Sequence, residues 1–329
     1  MGTTSTGVSF ARLILSRLTR TARLPLSRSI DFSEWIGLRL KSSPIASHQL
    51  GRTAIDTILL PSDLWKIINS HTAVFGRPPN LIRPATFNEK LQRQKLIGRK
   101  HSHTILADKL RVRDYIARTI GPEYLARLIW DGDRLSELPA TDFLPEKFII
   151  KTNHSSGTNI ICRSKSDFDW EFARRQTDAW LKQDLSALFA EWQYRWIKPK
   201  VLIEELLSDE SGGIPADYRM FCFDGKVRLI QVDYDSATNH TRLMFDREYE
   251  PLDVSCDYPR RQDIPPPPKN LKPMRDLAET ISRDEKFVRV DFYDLGDRIV
   301  FGEMTFHPAA GRGKFAPYSF DYDLGRVWT

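Results

Sequence analysis

The stretch "RVDFYDLGDRIVFGEMTFHP", residues 289–308, predicts two short strands joined by a tight turn. Successive side chains of a strand point to opposite faces, so Val290 and Phe292 share one face, while Arg289, Asp291 and Tyr293 share the other. A sheet inside a protein core normally presents apolar side chains. One face of this hairpin is instead charged, and its charged residues are the first candidates for a functional site.

The register of this hairpin determines which charged side chains lie opposite each other on the two strands. A three-residue loop over 295–297, with Gly296 in the left-handed conformation, sets Arg289 opposite Glu303. Asp291 and Glu303 then become diagonal neighbours with backbones roughly 7–8 Å apart, from which two carboxylates can converge on one cation. A solvated face with an Arg289–Glu303 pair and a metal site fit this stretch equally well.

The composition indicates a globular chain, because 329 residues with 41% hydrophobic content can bury a core in one or two domains. Lys and Arg number 49 against 43 Asp and Glu, and residues 1–30 hold five arginines and no acid. The remainder is nearly neutral, which argues against a nucleic-acid-binding domain. No apolar run is long enough to span a bilayer. Three widely separated cysteines suit reduced thiols in a cytosolic compartment.

Residues 1–54 are rich in Ser, Thr and Arg and show only a weak apolar pattern. We interpret them as a basic, disordered arm. Three alternatives stay open: an organellar transit segment, N-myristoylation at Gly2 with Thr6 in the motif, and an amphipathic segment that contacts an anionic membrane surface.

Helices are expected from Ile55 onward. The first, "LPSDLWKIINS", would start at Ser62, and the second, "TFNEKLQRQKLIG", has the capping pair Thr86 and Glu89. "ADKLRVRDYIARTIG", residues 107–121, predicts a third helix, and "EYLARLIW", residues 123–130, predicts a strand.

"KFIIKTNHSSGTNIICR", residues 147–163, predicts two apolar strands joined by a loop of small residues, Ser155, Ser156 and Gly157. Such a loop lets backbone N–H groups approach an anion, and Lys151 at the end of the first strand adds a point charge. The pattern is typical of a phosphate-binding loop, although an ordinary hairpin with a flexible tip fits it too.

The next segments alternate between a helix and strands. A long amphipathic helix is expected over 167–193, with Phe172 and Trp180 in the core. "KVLIEELL", residues 200–207, is a strand that turns acidic at Glu204 and Glu205, as a solvated strand end also would. "ADYRMFCFDGKVRLIQVDYD", residues 216–235, predicts a hairpin with its turn at Asp224-Gly225, and it carries Asp217 and Arg219 on its first strand.

The order of these elements resembles the ATP-grasp superfamily, and in particular its TupA-like branch, the group named for a teichuronopeptide biosynthesis protein. The matching stretches cover most of residues 75–325: "TFNEKLQRQKL", "ADKLRVRDYIARTIG", "LPEKFIIKTNHSSGTNII", "DYRMFCFDGKVRLIQVD" and "RVDFYDLGDRIVFGEMTFHPAAG". The resemblance implies an α+β fold in which two subdomains clamp ATP. The implied divisions are a domain over 55–325, made of a helical part (55–145), a small-residue-loop subdomain (146–207) and a C-terminal metal-binding subdomain (208–329).

The resemblance also implies roles for individual residues. The loop from His154 to Asn159 would close over the phosphates of ATP, and the end of strand 200–207 would lie beside adenine. The implied nucleotide-binding residues are Lys109, Lys151, His154, Ser155, Ser156, Gly157, Glu204, Glu205 and Leu206.

The same resemblance implies a metal-binding and catalytic role for the hairpin over residues 289–308. Asp291 and Glu303 would hold Mg²⁺, and Arg289 and Arg219 would be catalytic. Arg289 would stabilise charge on the transferring phosphoryl group. The family usually has Asn two residues after the metal-binding Glu, and this chain has Thr305 there. A hydroxyl is a weaker Mg²⁺ ligand than an amide oxygen.

These inferences predict an ATP- and Mg²⁺-dependent enzyme of cell-surface polysaccharide biosynthesis, acting in the cytoplasm or at the inner face of the membrane. A ligase would phosphorylate a carboxylate with ATP and let an amine attack the acyl phosphate. The acceptor would be a small molecule, a peptide or a polysaccharide. The alternatives are a phosphotransferase acting on a hydroxyl and a non-catalytic nucleotide-binding protein.

Overall fold

The computed structural model describes residues 39–210, 212–234 and 239–329. The chain divides into a unit that ends at Lys66 and a unit over Ile67–Thr329. The transit, N-myristoylation and membrane-contact hypotheses concern residues that lie outside the described part. Within the described residues, no helix is both long enough and apolar enough to cross a membrane.

Helical structure begins earlier than the sequence indicated. A 3₁₀ turn spans Pro44–Ser47 and helix α1 spans Gln49–Phe75, so the predicted start of order at Ile55 is wrong. Pro61 lies inside α1, and Ser62, expected as a helix cap, follows it within the same helix. A proline removes one backbone hydrogen bond, and the continuation of α1 means that other contacts along the helix offset this loss.

Three short helices follow α1. Helix α2 (Phe87–Leu96) has the predicted capping box, in which Thr86 and Glu89 cap each other's backbone N–H groups. Helix α3 (His101–Leu106) precedes the helix predicted over 107–121, residues 107–111 form a turn, and only α4 (Val112–Thr119) is helical within the predicted range. The turn forms because the Asp108 carboxylate accepts hydrogen bonds from the Leu110 N–H (2.9 Å) and the Asn153 amide (3.0 Å).

A four-stranded antiparallel sheet has the order β1-β4-β2-β3. Its apolar side chains, among them Phe148, Ile150 and Ile203, form a separate core. The strand predicted over 123–130 is β1, which begins only at Leu128 because a 3₁₀ turn precedes it. The bounds are β1 Leu128–Gly132, β2 Phe148–Thr152, β3 Asn159–Cys162 and β4 Val201–Glu205.

The helix predicted over 167–193 is broken in three. Helix α5 (Trp170–Trp180) is capped by Asp169, helix α6 (Leu185–Phe189) by Asp184, and a 3₁₀ helix spans Trp192–Trp196. Between the last two, Ala190 adopts a left-handed conformation with φ of 56°. Phe172, expected in the core, is 46% exposed, and Trp180, also expected there, is half-buried.

A six-stranded antiparallel sheet has the order β11-β10-β5-β6-β7-β8, and a two-stranded sheet pairs β12 with β9. The Asp224-Gly225 turn joins β5 to β6 as predicted. The bounds are β5 Asp217–Phe223, β6 Lys226–Tyr234, β7 Thr241–Phe245, β8 Pro251–Leu252, β9 Ser255–Cys256, β10 Phe287–Asp294, β11 Ile299–Thr305 and β12 Phe315–Ala316. Helices α7 (Leu271–Ser282) and α8 (Ser319–Val327) complete the chain.

The two faces of the six-stranded sheet differ. One face is apolar throughout, and Val288, Val290 and Phe292 pack there against Met274 and Ala278 of α7, as the strand alternation predicted. The other face is apolar at one end only, where it forms a second core. That core contains Phe87, Phe221, Phe223, Phe287 and Trp328. The remaining half of this face carries charged side chains.

The register of the β10–β11 hairpin differs from the prediction. Asp294 pairs with Ile299, so the loop is the four residues 295–298 rather than three, although Gly296 is left-handed (φ 83°) as expected. Between the pairs Val290–Met304 and Phe292–Phe301, the register shifts. This bulge gives β11 two residues, Gly302 and Glu303, where β10 has only Asp291.

Candidate functional site

Arg289 organises the charged half of the sheet face. Its Nε and Nη2 donate to the two carboxylate oxygens of Asp291 at 2.7 and 2.5 Å. The same Nη2 donates to Glu303 Oε1 at 3.1 Å and to Thr305 Oγ1 at 3.0 Å. Thus Asp291, Glu303 and Thr305, the three predicted metal ligands, converge on one guanidinium nitrogen. The bulge in β11 produces this convergence by placing Glu303 beside Asp291.

The two carboxylates of this group differ in protonation. Burial raises the pKa of Asp291 to about 7, and Arg289 acts in the opposite direction. Burial also raises the pKa of Glu303, but Lys109 and Arg289 outweigh it and lower that pKa to about 2. Glu303 is therefore an anion at neutral pH, and the charge of Asp291 depends on the cation beside it.

Lys109 joins this group to the small-residue loop. Its ammonium lies 3.2 Å from Glu303 Oε2 and donates to the Ser155 carbonyl at 2.7 Å. Lys109 lies in the turn between α3 and α4, where Asp108 also binds Asn153. The turn that replaces the start of the predicted helix thus places Lys109 between the loop and the sheet.

The small-residue loop is held by its own hydroxyls. Thr152 Oγ1 lies 2.6 Å from Ser155 Oγ and 2.8 Å from Thr158 Oγ1, so the Ser155 side chain points into the loop rather than towards an anion. Ser156 and Gly157 are exposed, and Gly157 has a φ of 71°. His154 is buried, and burial lowers its pKa. Backbone groups at Ser156 and Gly157 therefore remain the part of this loop suited to phosphate.

The residues predicted to lie beside adenine, Glu204 to Leu206, are in two different environments. Glu204 is buried, and it binds Lys151 at 3.0 Å and Arg113 at 2.9 Å, so it is not the solvated strand end that the sequence also allowed. Glu205 points to the other face and binds Arg298 at 2.7 Å. Leu206 follows the end of β4, away from the Lys151–Glu204 pair.

A small cleft of about 30 Å³ lies at the Lys151–Glu204 pair. It is lined in addition by Lys109, Arg113 and Tyr293. This volume is that of about one water molecule, so an adenine ring enters only if these side chains move apart. Arg113 was not predicted as a site residue, although its i+4 spacing from Lys109 in "KLRVR" would place the two on one face of a helix.

Arg219 lies in a cluster of aspartates next to Arg289. Its guanidinium is 2.7 Å from Asp217 and 2.7 Å from Asp233, and its Nε is 3.7 Å from Asp291. Asp233 is fully buried and also binds Arg242. Burial raises the pKa of Asp233, but Arg242 and Arg219 lower it to about 2, so this carboxylate stays charged.

A cavity of about 630 Å³ opens above this group. From the predicted site it is lined by Arg219, Arg289, Glu303, Thr305 and Ser156. Two other charged lining residues, Glu191 and Arg312, were not predicted from the sequence, because Glu191 lies in a segment predicted to be helical and Arg312 in a loop without a motif. The cavity volume is in the range of small-molecule sites, about 300–1,000 Å³.

The donor set of Asp291, Glu303 and Thr305 fits Mg²⁺ in its chemistry. All three offer oxygen, the ligand atom that Mg²⁺ prefers, and Mg²⁺ usually takes only one or two carboxylates and fills its remaining positions with water and phosphate oxygens. Their oxygens lie within 3.1 Å of one cationic atom, Arg289 Nη2. Among the residues that the structure describes, no cluster of three or more His, Cys, Asp or Glu side chains is arranged for a metal.

A family model described as TupA-like ATPgrasp matches residues 89–329. These residues include every site residue named above. A search of the curated proteins found no match.

Solved structures similar to this chain include several ligases. D-alanine–D-alanine ligase from Bacillus anthracis, complexed with ATP, is 14% identical with a TM-score of 0.37, over 61% of this chain and 55% of that one. L-amino acid ligase from Bacillus licheniformis is 11% identical with a TM-score of 0.43, over 76% and 56%. The ATP-grasp ligase PsnB, complexed with a precursor variant, Mg and ADP, is 11% identical with a TM-score of 0.39, over 73% and 65%. This chain spans 55–65% of the length of these three.

Proposed function

The chain belongs to the TupA-like ATP-grasp family, and from this premise we propose that it is an ATP- and Mg²⁺-dependent ligase of cell-surface polysaccharide biosynthesis. The enzyme would phosphorylate a carboxylate with ATP and release phosphate when an amine attacks the acyl phosphate. We place this reaction in the cytoplasm, where ATP is available.

The observation that carries the proposal is the convergence of Asp291, Glu303 and Thr305 on Arg289 at the floor of the large cavity. Phosphoryl transfer depends chiefly on positioning and on countering charge at phosphate oxygens. Two carboxylates that can hold a cation, next to a buried guanidinium, supply both functions within a few ångströms.

Each residue of this group has a distinct task in the proposed reaction. Asp291, Glu303 and Thr305 would hold Mg²⁺, which supplies positive charge to the phosphate oxygens. Arg289, which contacts the same carboxylates, would donate hydrogen bonds to the transferring phosphoryl group. Arg219 stays anchored by Asp217 and Asp233 and keeps a positive charge beside the same position.

The nucleotide would bind between the small-residue loop and the Lys151–Glu204 pair. Backbone N–H groups at Ser156 and Gly157 would approach the phosphates, and Lys109, already beside Ser155, would add its charge. Entry of the base requires the Lys151–Glu204 contact to open, because the cleft there holds only about 30 Å³.

The proposal is tested by product analysis. The protein is incubated with ATP, Mg²⁺ and a small-molecule extract of the source cells, and new masses are identified by mass spectrometry, with Asp291→Ala as the inactive control. A ligase yields ADP, free phosphate and a condensed product. A phosphorylated acceptor without free phosphate would establish a phosphotransferase instead, and binding of ATP without any product would leave a nucleotide-binding protein.

A further inference from the structure

Helix α1 presents an exposed face without charged residues. Between residues 49 and 66, the exposed side chains form one stripe at helical spacing, which we call the uncharged face of α1: Gln49, Leu50, Thr53, Thr57, Pro61, Leu64 and Trp65. Leu50 is 86% exposed and Trp65 is 65% exposed. A helix at a protein surface normally directs charged and polar side chains towards water. The composition of this face therefore indicates a contact with something less polar than water.

The charged residues in this part of α1 lie off the uncharged face. Arg52, Asp56 and Lys66 are half-buried, and Asp63 is buried. Each of the four has an interaction partner. Arg52, for example, donates from Nε to the Ala46 carbonyl at 2.8 Å. The helix thus contains charges, but its fold directs them away from the exposed stripe.

The two hydroxyl groups on the uncharged face are already hydrogen-bonded within the helix. Thr53 Oγ1 donates to the Gln49 carbonyl at 3.1 Å, and Thr57 Oγ1 donates to the Thr53 carbonyl at 2.9 Å. A polar group is costly to remove from water chiefly when it loses its hydrogen bond. Because these hydroxyls keep theirs, the central part of the face can leave water at little cost.

The sequence that precedes α1 contains nearly all the surplus positive charge of the protein. Residues 1–48 contain seven Lys and Arg and only two acidic residues, a surplus of five against a net charge of +6 for the whole chain. Residues 49–75 contain two charged residues of each sign. The uncharged face therefore follows directly on a basic segment. An apolar surface and a basic segment each bind membranes weakly, but together they bind anionic lipid headgroups stably.

We propose that the uncharged face of α1 binds the surface of a membrane that contains anionic lipids, with the helix parallel to that surface. Leu50 and Leu64 would enter the boundary between headgroups and acyl chains, and the indole of Trp65 would lie at the interface, where tryptophan is favoured. A second copy of the chain fits this face less well, because each copy would bring its own basic segment and like charges repel. Such binding would hold the protein at a membrane and does not depend on the reaction proposed above.

The test measures sedimentation of the full chain with vesicles of phosphatidylcholine alone and with vesicles of phosphatidylcholine and phosphatidylglycerol in equal amounts. The test variant combines Leu50→Ser with Trp65→Ser. The control variant combines Ile82→Ser with Phe143→Ser, because Ile82 and Phe143 are 86% and 50% exposed but lie outside α1. Melting temperatures identify a variant that fails to fold, and Trp65→Ser alone then replaces the test variant. Analytical ultracentrifugation without vesicles measures the oligomeric state.

We expect the wild type to bind the mixed vesicles about tenfold or more tightly than phosphatidylcholine alone, because the basic segment adds attraction to anionic headgroups. The test variant should bind the mixed vesicles about tenfold or more weakly than the wild type, and the control variant within about twofold of it.

Three results would overturn the membrane assignment. The first is a wild type that binds neither kind of vesicle. The second is a test variant that binds the mixed vesicles as the wild type does, which would leave the basic segment alone responsible. The third is a wild-type dimer that the test variant fails to form, which would show that a second copy occupies the uncharged face.

Discussion

Replacing Asp291 or Glu303 by Ala separates the catalytic role of the hairpin from its structural role. Both carboxylates bind Arg289, but in different surroundings. Asp291 forms two hydrogen bonds with it and is 2% exposed, whereas the Glu303 side chain is 30% exposed and contributes one contact. We expect both variants to lose ATP turnover and only Asp291→Ala to lose much stability.

The magnitudes follow from burial. Loss of Asp291 leaves Arg289, which is 7% exposed, without its bidentate partner, and breaking a buried pair in this way costs about 3–5 kcal/mol. Arg289 keeps Glu303 and Thr305, so the lower end of this range applies. Loss of the more exposed Glu303 costs about 0–1 kcal/mol. For a chain of this length, Tm falls by about 2–4 °C per kcal/mol of lost stability. Asp291→Ala should therefore lower Tm by roughly 6–12 °C and Glu303→Ala by less than about 4 °C.

The assay compares ATP turnover, its Mg²⁺ dependence and Tm for both single variants and the double variant. Turnover in the double variant should be little lower than in either single variant, because groups that act together on one metal are non-additive. The control is Asp297→Asn, an exposed carboxylate in the loop of the same hairpin, which should leave turnover and Tm unchanged. Near-normal turnover in Glu303→Ala would refute the metal assignment, and equal losses of Tm would refute the burial argument.

Three further outcomes are expected. Lys151→Ala should weaken ATP binding, because Lys151 lies among the last residues of β2, just before the small-residue loop; calorimetry that finds equal affinity would remove it from the site. Deleting residues 1–38 should leave Tm and ATP affinity nearly unchanged, since the site residues all follow Ile67; aggregation of the truncated chain would contradict this. Glu191→Gln should stabilise the protein more at pH 8 than at pH 5. The folded-state pKa of about 7 lies above the ordinary value of 4.5, so folding takes up a proton between these values, and wild-type stability falls as pH rises through this window, by about 3 kcal/mol at most. Urea unfolding at both pH values measures the difference, and parallel pH profiles for wild type and variant would contradict it.

Local patterns were sufficient where a residue's role depends on its near neighbours. The capping box of Thr86 and Glu89, the Asp224-Gly225 turn and the left-handed Gly296 all formed as predicted. Patterns failed where a side chain competes with the backbone or where packing overrides propensity. Asp108 converted the start of a predicted helix into a turn, and α1 continued through Pro61.

The sequence by itself determined which face of β10 is charged, because side-chain alternation has a period of two and needs no partner strand. It also indicated that Asp291, Glu303 and Arg289 belong together. Only the tertiary structure decided how they meet, since the bulge opposite Asp291 changes the register and a period of two carries no information about register. Packing likewise brought Glu191 and Arg312 to one cavity from distant parts of the chain. Neither residue belongs to a local motif, so their shared burial exists only in the folded protein.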